Sequence, residues 1–174
     1  MLRNKIHFDF RKENAIQAVM WFLSRHGYRL DQMKALKLMY LADKAHLAKY
    51  GRPIAGGSYY AMRYGPVCSE LYDLFKDPSG IPFHLEDNFL KADECEYEED
   101  CLSESDKEIL SEINEKFGSK DPFSLSSYTH ELPEYKNIWD ENRKEGRKKI
   151  DYESIINDEE MKEIIVDDQS AWDF

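Results

Sequence analysis

Apolar residues recur at helical spacing through most of this chain. Between Asp9 and His26 the positions Ala15, Ile16, Val19, Met20, Phe22 and Leu23 form one broad stripe, with Asp9 as the expected N-cap and Gly27 as the stop. Trp21 falls outside that stripe, beside Asn14, Gln17 and Arg25. An indole there is either a partner anchor, because aromatic residues are enriched at interface hot spots, or a ring covered by a later segment of the chain. A second helix is predicted from the Asp31 cap to Tyr50, with Gly51 behind it. Its apolar residues lie on nearly every side, as expected of a central, largely buried helix. Within it Met33, Lys37, Tyr40 and Lys44 recur at i, i+4, i+7 and i+11 and share one stripe. Two cations beside a long aromatic suit acidic groups on a partner; they equally suit a solvated edge of snorkelling lysines.

The pattern then shortens. Gly56 and Gly57 permit a tight turn, Tyr59 to Arg63 alternates as a short strand does, and Tyr64-Gly65-Pro66 is expected to open a third helix with Pro66 in its first turn. Val67, Leu71, Leu74 and Phe75 would be its buried face. Residues 81–92 predict a hairpin around Glu86-Asp87-Asn88, and the acidic run at 93–101 reads as a solvated connector. Ser103 with Asp106 forms a capping box for a fourth helix faced by Ile109, Leu110, Ile113 and Phe117 and stopped by Gly118. Asp121-Pro122 opens a fifth, carrying Phe123, Leu125 and Tyr128, and Pro133 ends it before a short helical piece with Tyr135, Ile138 and Trp139. The basic stretch 143–149 reads as an exposed link. From Asp151 the chain is acidic with isolated apolar groups at Ile155, Ile156, Met161, Ile164, Ile165, Trp172 and Phe174, which is either a weak amphipathic helix packed on the body or a segment that a partner orders. The expected fold class is mainly α: a single compact helical domain over residues 1–145 with a minor antiparallel β-hairpin, α+β at the margin, then an acidic extension over 146–174.

Composition narrows the function. The 174 residues are 41% hydrophobic, enough for a packed core of one domain's size. No apolar run approaches membrane-spanning length, and no apolar stretch follows the basic residues of the first ten, so a cytoplasmic protein without a signal peptide is expected. Cys68, Cys95 and Cys101 form no C-x-x-C pair and the five histidines are scattered, which argues for reduced thiols and no metal or other cofactor. Residues 1–76 carry 13 Lys/Arg against 6 Asp/Glu, whereas residues 77–174 carry 11 against 29. Such an asymmetric field steers partners, and the net charge of −11 makes nucleic acid an unfavoured one.

Nothing in the chain spells out an enzyme. Phosphate-binding glycine loops, H-E-x-x-H and G-x-S-x-G are all missing from the sequence. Thr129-His130-Glu131 can be drawn as a general-base group, and Cys68 at the start of an expected helix as a reactive thiol, but neither implies its chemical partners.

The segment from Leu36 to Lys76 carries more than periodicity. Lys37, Leu38, Tyr40, Leu41 and Ala42, then Gly51-Arg52-Pro53, Tyr64-Gly65-Pro66-Val67 and Glu70-Leu71-Tyr72 stand in the order and spacing of the Panacea domain, and the chain resembles that family of SocA-like antitoxins over roughly residues 12–140. It departs from the family in the aspartate-containing LADKAH and in the acidic tail. The resemblance implies an antitoxin of a bacterial or phage toxin–antitoxin pair, binding a cognate protein toxin directly. It leaves open an adaptor that delivers a toxin to a AAA+ protease; the acidic charge leaves open a DNA-mimic inhibitor of a nuclease. Tyr59, Tyr60, Arg63 and Tyr64 have the composition of an interface core, although tyrosines also pack strands onto helices. With Trp21, Lys37, Tyr40 and Lys44 they make up the expected partner-binding set.

Overall fold

The helix from Gln32 to Tyr50 organises the molecule. In the computed structural model, which describes residues 5–94, 97–140 and 146–171, this helix is, at 19 residues, the longest among the described residues. Along the chain the elements are α1 (Lys12–Arg25), β1 (Arg29–Asp31), α2 (Gln32–Tyr50), β2 (Tyr59–Met62), β3 (Gly65–Cys68), α3 (Ser69–Lys76), β4 (His84–Glu86) and β5 (Phe89–Lys91). They continue as α4 (Glu104–Phe117), α5 (Pro122–His130), α6 (Pro133–Lys136), β6 (Lys148–Ile150), α7 (Tyr152–Ile155) and α8 (Glu159–Ser170). α2 packs against α1, α4, α5, β1 and β3, which is why apolar side chains surround it.

The helix caps follow the sequence closely. The Asp31 carboxylate accepts from the Lys34 amide, Gly51 ends α2 in the left-handed conformation at φ +75°, and Ser103 and Asp106 form the reciprocal capping box of α4. Asp121 caps α5 through the Ser124 amide, with Pro122 in the first turn. Asp9 does not cap α1. Residues 5–10 run without helical structure along the 55–57 loop, with Phe8 accepting from the Gly57 amide and Arg11 donating to Ala55, so the helix begins only at Lys12.

The fold is mainly helical, but its β content exceeds the single hairpin expected. Two three-stranded antiparallel sheets form, ordered β1-β5-β4 and β3-β2-β6. The β4–β5 hairpin turns through Asp87 and Asn88, both at positive φ, as the strand twist favours. Pro66 opens no helix: it lies in β3 opposite Ala61, on an edge strand where a missing N–H breaks no ladder, and α3 starts at Ser69. The link at 143–149 is likewise no plain link where it is described, because Lys148–Ile150 pairs with the open edge of β2 and buries Ile150; residues 143–145 lie outside the described residues. Beyond it Tyr152, Ile155, Ile156 and Ile165 are buried, while Ile164 is exposed. Trp172 and Phe174 lie outside the described residues.

The connector at 93–101 is more than solvated chain. Asn14 donates to the Cys101 carbonyl, Gln17 donates to Asp100 and accepts from the Cys101 amide, so residues 97–101 cover the polar side of α1. That cover, with the Arg25 guanidinium 3.9 Å above its ring, buries Trp21.

Two buried carboxylates tie the loops to the helices. Asp43 on α2 accepts from the amides of Ile54, Ala55 and Gly56 and from the Tyr59 hydroxyl. Burial pushes its carboxyl up, and the Tyr59 hydroxyl and the three amides pull it back. The Tyr59 ring meets Tyr40 and Tyr152 edge-on at 5.5 and 5.3 Å, joining α2, β2 and α7. Asp106 on α4 lies 3.1 Å from His46 and 3.0 Å from Arg52; burial opposes its charge, but His46, the Ser103 amide and Arg52 prevail and hold its carboxyl at about 2.

Replacing Asp43 by Asn puts an amide donor against amide donors. Asp43→Asn is expected to lower the unfolding free energy by roughly 2–4 kcal/mol in urea denaturation, whereas loss of one exposed partner would cost under about 1 kcal/mol.

Candidate partner-binding groove and hairpin tip

The β2–β3 hairpin presents Arg63 and Tyr64 at its tip, between the paired residues Met62 and Gly65. Both tip residues are exposed, Tyr64 at 49%. The backbone beneath them is held at every second carbonyl. Tyr135 of α6 donates to Met62 at 2.7 Å, Ser126 of α5 donates to Tyr64 at 2.8 Å, and Lys37 of α2 donates to Pro66 at 2.9 Å. Three helices thus set one loop, and little ordering remains to be done when a partner meets it. Gly65 is required here on two counts. Its φ is +111°, and a Cβ would fall 2.5 Å from the Thr129 hydroxyl and 3.0 Å from the Lys37 amine.

Beside the tip runs an open groove of about 420 Å³. Met33, Leu36, Met62, Val67 and Tyr72 give it apolar walls, Lys37 lies along it, and Arg63 and Tyr64 belong to its rim. Lys37 is 1% exposed and is the one buried lysine or arginine among the described residues. Among the described residues its one hydrogen bond is to Pro66, and it forms no ion pair. Burial alone lowers its pKa to about 7.

Of the eight residues expected to bind a partner, the structure brings Lys37, Arg63 and Tyr64 into this one groove. Four are buried where exposure was expected: Trp21, Lys37, Tyr40 and Tyr59. The stripe of Met33, Lys37, Tyr40 and Lys44 is no solvated edge, because β3, α5 and α6 close over it. Tyr40 and Lys44 both bind one oxygen of Glu134 on α6, at 2.8 and 2.6 Å. Burial and the Glu134 charge push the Tyr40 phenol well above its ordinary value. Tyr60 is half-buried under the Arg147 guanidinium, 4.4 Å from its ring.

The sequence reading left out Met62, Val67 and Tyr72 as groove walls. The alternation of β2 carries part of the signal, since Tyr59 and Ala61 face inward and Tyr60 and Met62 outward. It left out Ser126 and Tyr135 as well, because side chains that bond loop carbonyls far away in sequence leave no periodic trace.

The two catalytic groupings drawn from the sequence gain no support. Cys68 is buried, and burial pushes its thiol up, away from the reactive thiolate. Thr129 donates to the Ser126 carbonyl, His130 stacks on Tyr135 at 4.7 Å, and Glu131 pairs with Lys136. Among the described residues no three His, Cys, Asp or Glu side chains converge on a metal position, and no helix is long and apolar enough to cross a membrane.

Comparison with protein families matches residues 36–136 to the SocA-like antitoxins, Panacea domain. The chain belongs to that family. Comparisons with curated proteins and with solved structures gave no match. The Panacea match opens one residue before Lys37 and closes one residue after Tyr135. It therefore encloses the hairpin and all three donors that hold it, while α1 and the segment from β6 to α8 lie outside.

The lysine has a measurable signature. Its pKa is about 7 folded against 10.5 for the free side chain. Between these values the unfolded chain holds a proton that the folded chain has released, so the Lys37 contribution to stability rises with pH and is at its lowest below about 7. Unfolding free energies of wild type and Lys37→Met, compared from pH 6 to about 10, are expected to shift in favour of the wild type by a few kcal/mol. The tyrosines and cysteines titrate in both proteins and cancel in that difference.

Proposed function

We propose that this chain is an antitoxin that neutralises a cognate protein toxin by direct binding, with the Arg63–Tyr64 tip and the adjoining groove as the contact surface. Membership of the SocA-like antitoxin family supplies the role, and the family points to a regulatory protein rather than an enzyme. The observation that carries the contact surface is the hairpin tip, exposed yet fixed by Tyr135, Ser126 and Lys37 from three helices. Arg and Tyr are the residue types that dominate binding energy, and a fixed backbone avoids the entropy cost of ordering them. A groove lies next to them, with room for a side chain of the toxin. Binding there would cover the toxin's active surface or hold it in an unproductive shape. The residues from β6 to α8, outside the family match, form the acidic extension in this reading.

Affinity capture from the native cell is expected to return a small protein that arrests growth when expressed alone and is harmless beside this chain. Arg63→Glu with Tyr64→Ala is expected to weaken that complex by about 30-fold or more without changing the melting temperature, since neither side chain is buried. Capture that is unaffected by the double variant would remove the tip from the contact surface. Absence of any growth-arresting partner would remove the antitoxin role.

A further inference from the structure

The N-terminal segment and the C-terminal elements meet over the turn at 51–57, and they hold to it with unequal strength. β6 and α7 are fastened: Ile150 pairs with Tyr59 of β2, Tyr152, Ile155 and Ile156 are buried, and the Tyr152 hydroxyl donates to the Gly57 carbonyl at 2.7 Å. α8 is held far less. Of its twelve residues Ile165 alone is buried, and Ile164 is 55% exposed. No described helix or strand packs broadly on it. It rests on the turn and on the N-terminal segment instead. A Cβ on Gly51 would meet Met161 Sδ at 3.3 Å and Ile165 Cγ1 at 3.6 Å, and Gln169 exchanges two water-exposed hydrogen bonds with the His7 backbone, at 2.6 and 3.4 Å. Its charges oppose it as well. Glu159, Glu163 and Asp167 recur at i, i+4 and i+8, so three carboxylates stand in one row. With Glu153 of α7 they border an open cleft of about 320 Å³, whose one cation, Lys162, is taken by Glu159 at 2.6 Å. Asp167 and Asp168 add negative charge at the negative pole of the helix, and its last turn has no basic residue to offset them. Only the first turn is favourable, where the Asp158 cap and Glu159 meet the positive pole.

We propose that α8 is a detachable strap: it leaves the 51–57 turn as one unit, hinging near Asn157, while β6, α7 and the body beneath stay folded. Little apolar burial resists the motion, because one side chain is all that α8 sinks into the core. Repulsion within the carboxylate row favours it. Salt therefore closes the strap, since the row spans a distance over which dissolved ions screen charge, about 8 Å at physiological ionic strength. Opening bares Gly51 together with the apolar side of α8 at Met161 and Ile165, and frees the His7 backbone. This surface lies at the C-terminal end of α2, whereas the hairpin tip is held from Lys37 near the other end. The chain thus has a conditional surface as well as a fixed one. The family match ends at residue 136, so the strap is an addition laid over a turn that the Panacea core contains. Nothing in this depends on which partner meets the tip.

Amide hydrogen exchange of the full chain, read by NMR, tests the strap. In about 20 mM NaCl the amides of residues 162–170 are expected to exchange about 100-fold faster than those of α2, or faster still. Raising the salt to about 500 mM is expected to slow them by about three-fold or more relative to α2. Glu163→Lys, a change at an exposed position, breaks the carboxylate row with a cation. It is expected to slow α8 exchange by about three-fold or more in low salt and to remove most of the salt effect, with α2 unchanged. Ile165→Asp is expected to leave α8 exchanging as an unfolded peptide does, while α2 and the β2–β6 pairing keep their protection. Exchange of α8 at the α2 rate would overturn the strap, because α8 would then open only when the whole chain unfolds. So would an α8 rate indifferent to salt or to Glu163→Lys, or loss of α2 protection in Ile165→Asp.

Discussion

One helix must stay buried while carrying charge, and the rest of the structure follows from that constraint. α2 places Lys37, Asp43, Lys44 and His46 inside or at the margin of the core. Each needs a partner that water can no longer supply, and the surrounding loops are those partners. Asp43 gathers the amides of residues 54–56 and so shapes the glycine-rich turn that feeds β2. His46 meets Asp106 and Arg52 and so fixes where α4 begins. Lys44 meets Glu134 and so seats α6. Packing alone would let these segments slide; the hydrogen bonds give each a single place.

The hairpin tip is the outcome of the same rule at the other end of the helix. Lys37 reaches Pro66, and the neighbouring carbonyls are taken by Ser126 and Tyr135. Gly65 keeps the strand close enough for all three. The tip is therefore rigid where it is most exposed. The Panacea match, over residues 36–136, includes these contacts together with α3, β4, β5 and α4. α1 and the acidic C-terminal elements lie outside it. The C-terminal part nevertheless supplies the third strand of one sheet and the Tyr152 hydroxyl that binds the Gly57 carbonyl at 2.7 Å.

Lys37 is the one buried lysine or arginine among the described residues. Where Asp43, Asp106 and Glu134 are met from within, this lysine is met by one carbonyl, and burial lowers its pKa to about 7. Keeping it costs stability.

Much of this was present in the sequence, for local reasons. Asp31, Ser103 with Asp106, Asp121-Pro122 and Gly51 mark helix ends because capping is settled within four residues, and the Asp87-Asn88 turn specifies its hairpin in the same way. The motif around Lys37 and the Tyr64-Gly65-Pro66 block named the family. The tertiary structure decided what depends on residues far apart. Pro66 joined a strand because Ala61 lay opposite, and Lys148–Ile150 became a strand because β2 had an open edge. Trp21 was buried because residues 97–101 crossed the polar side of α1. Exposure of the candidate binding residues was settled in the same way: periodicity tells which side chains share a face, but not what lies against that face. Lys37 and Tyr40 share a stripe in the sequence, and only the arrival of β3, α5 and α6 buried them both.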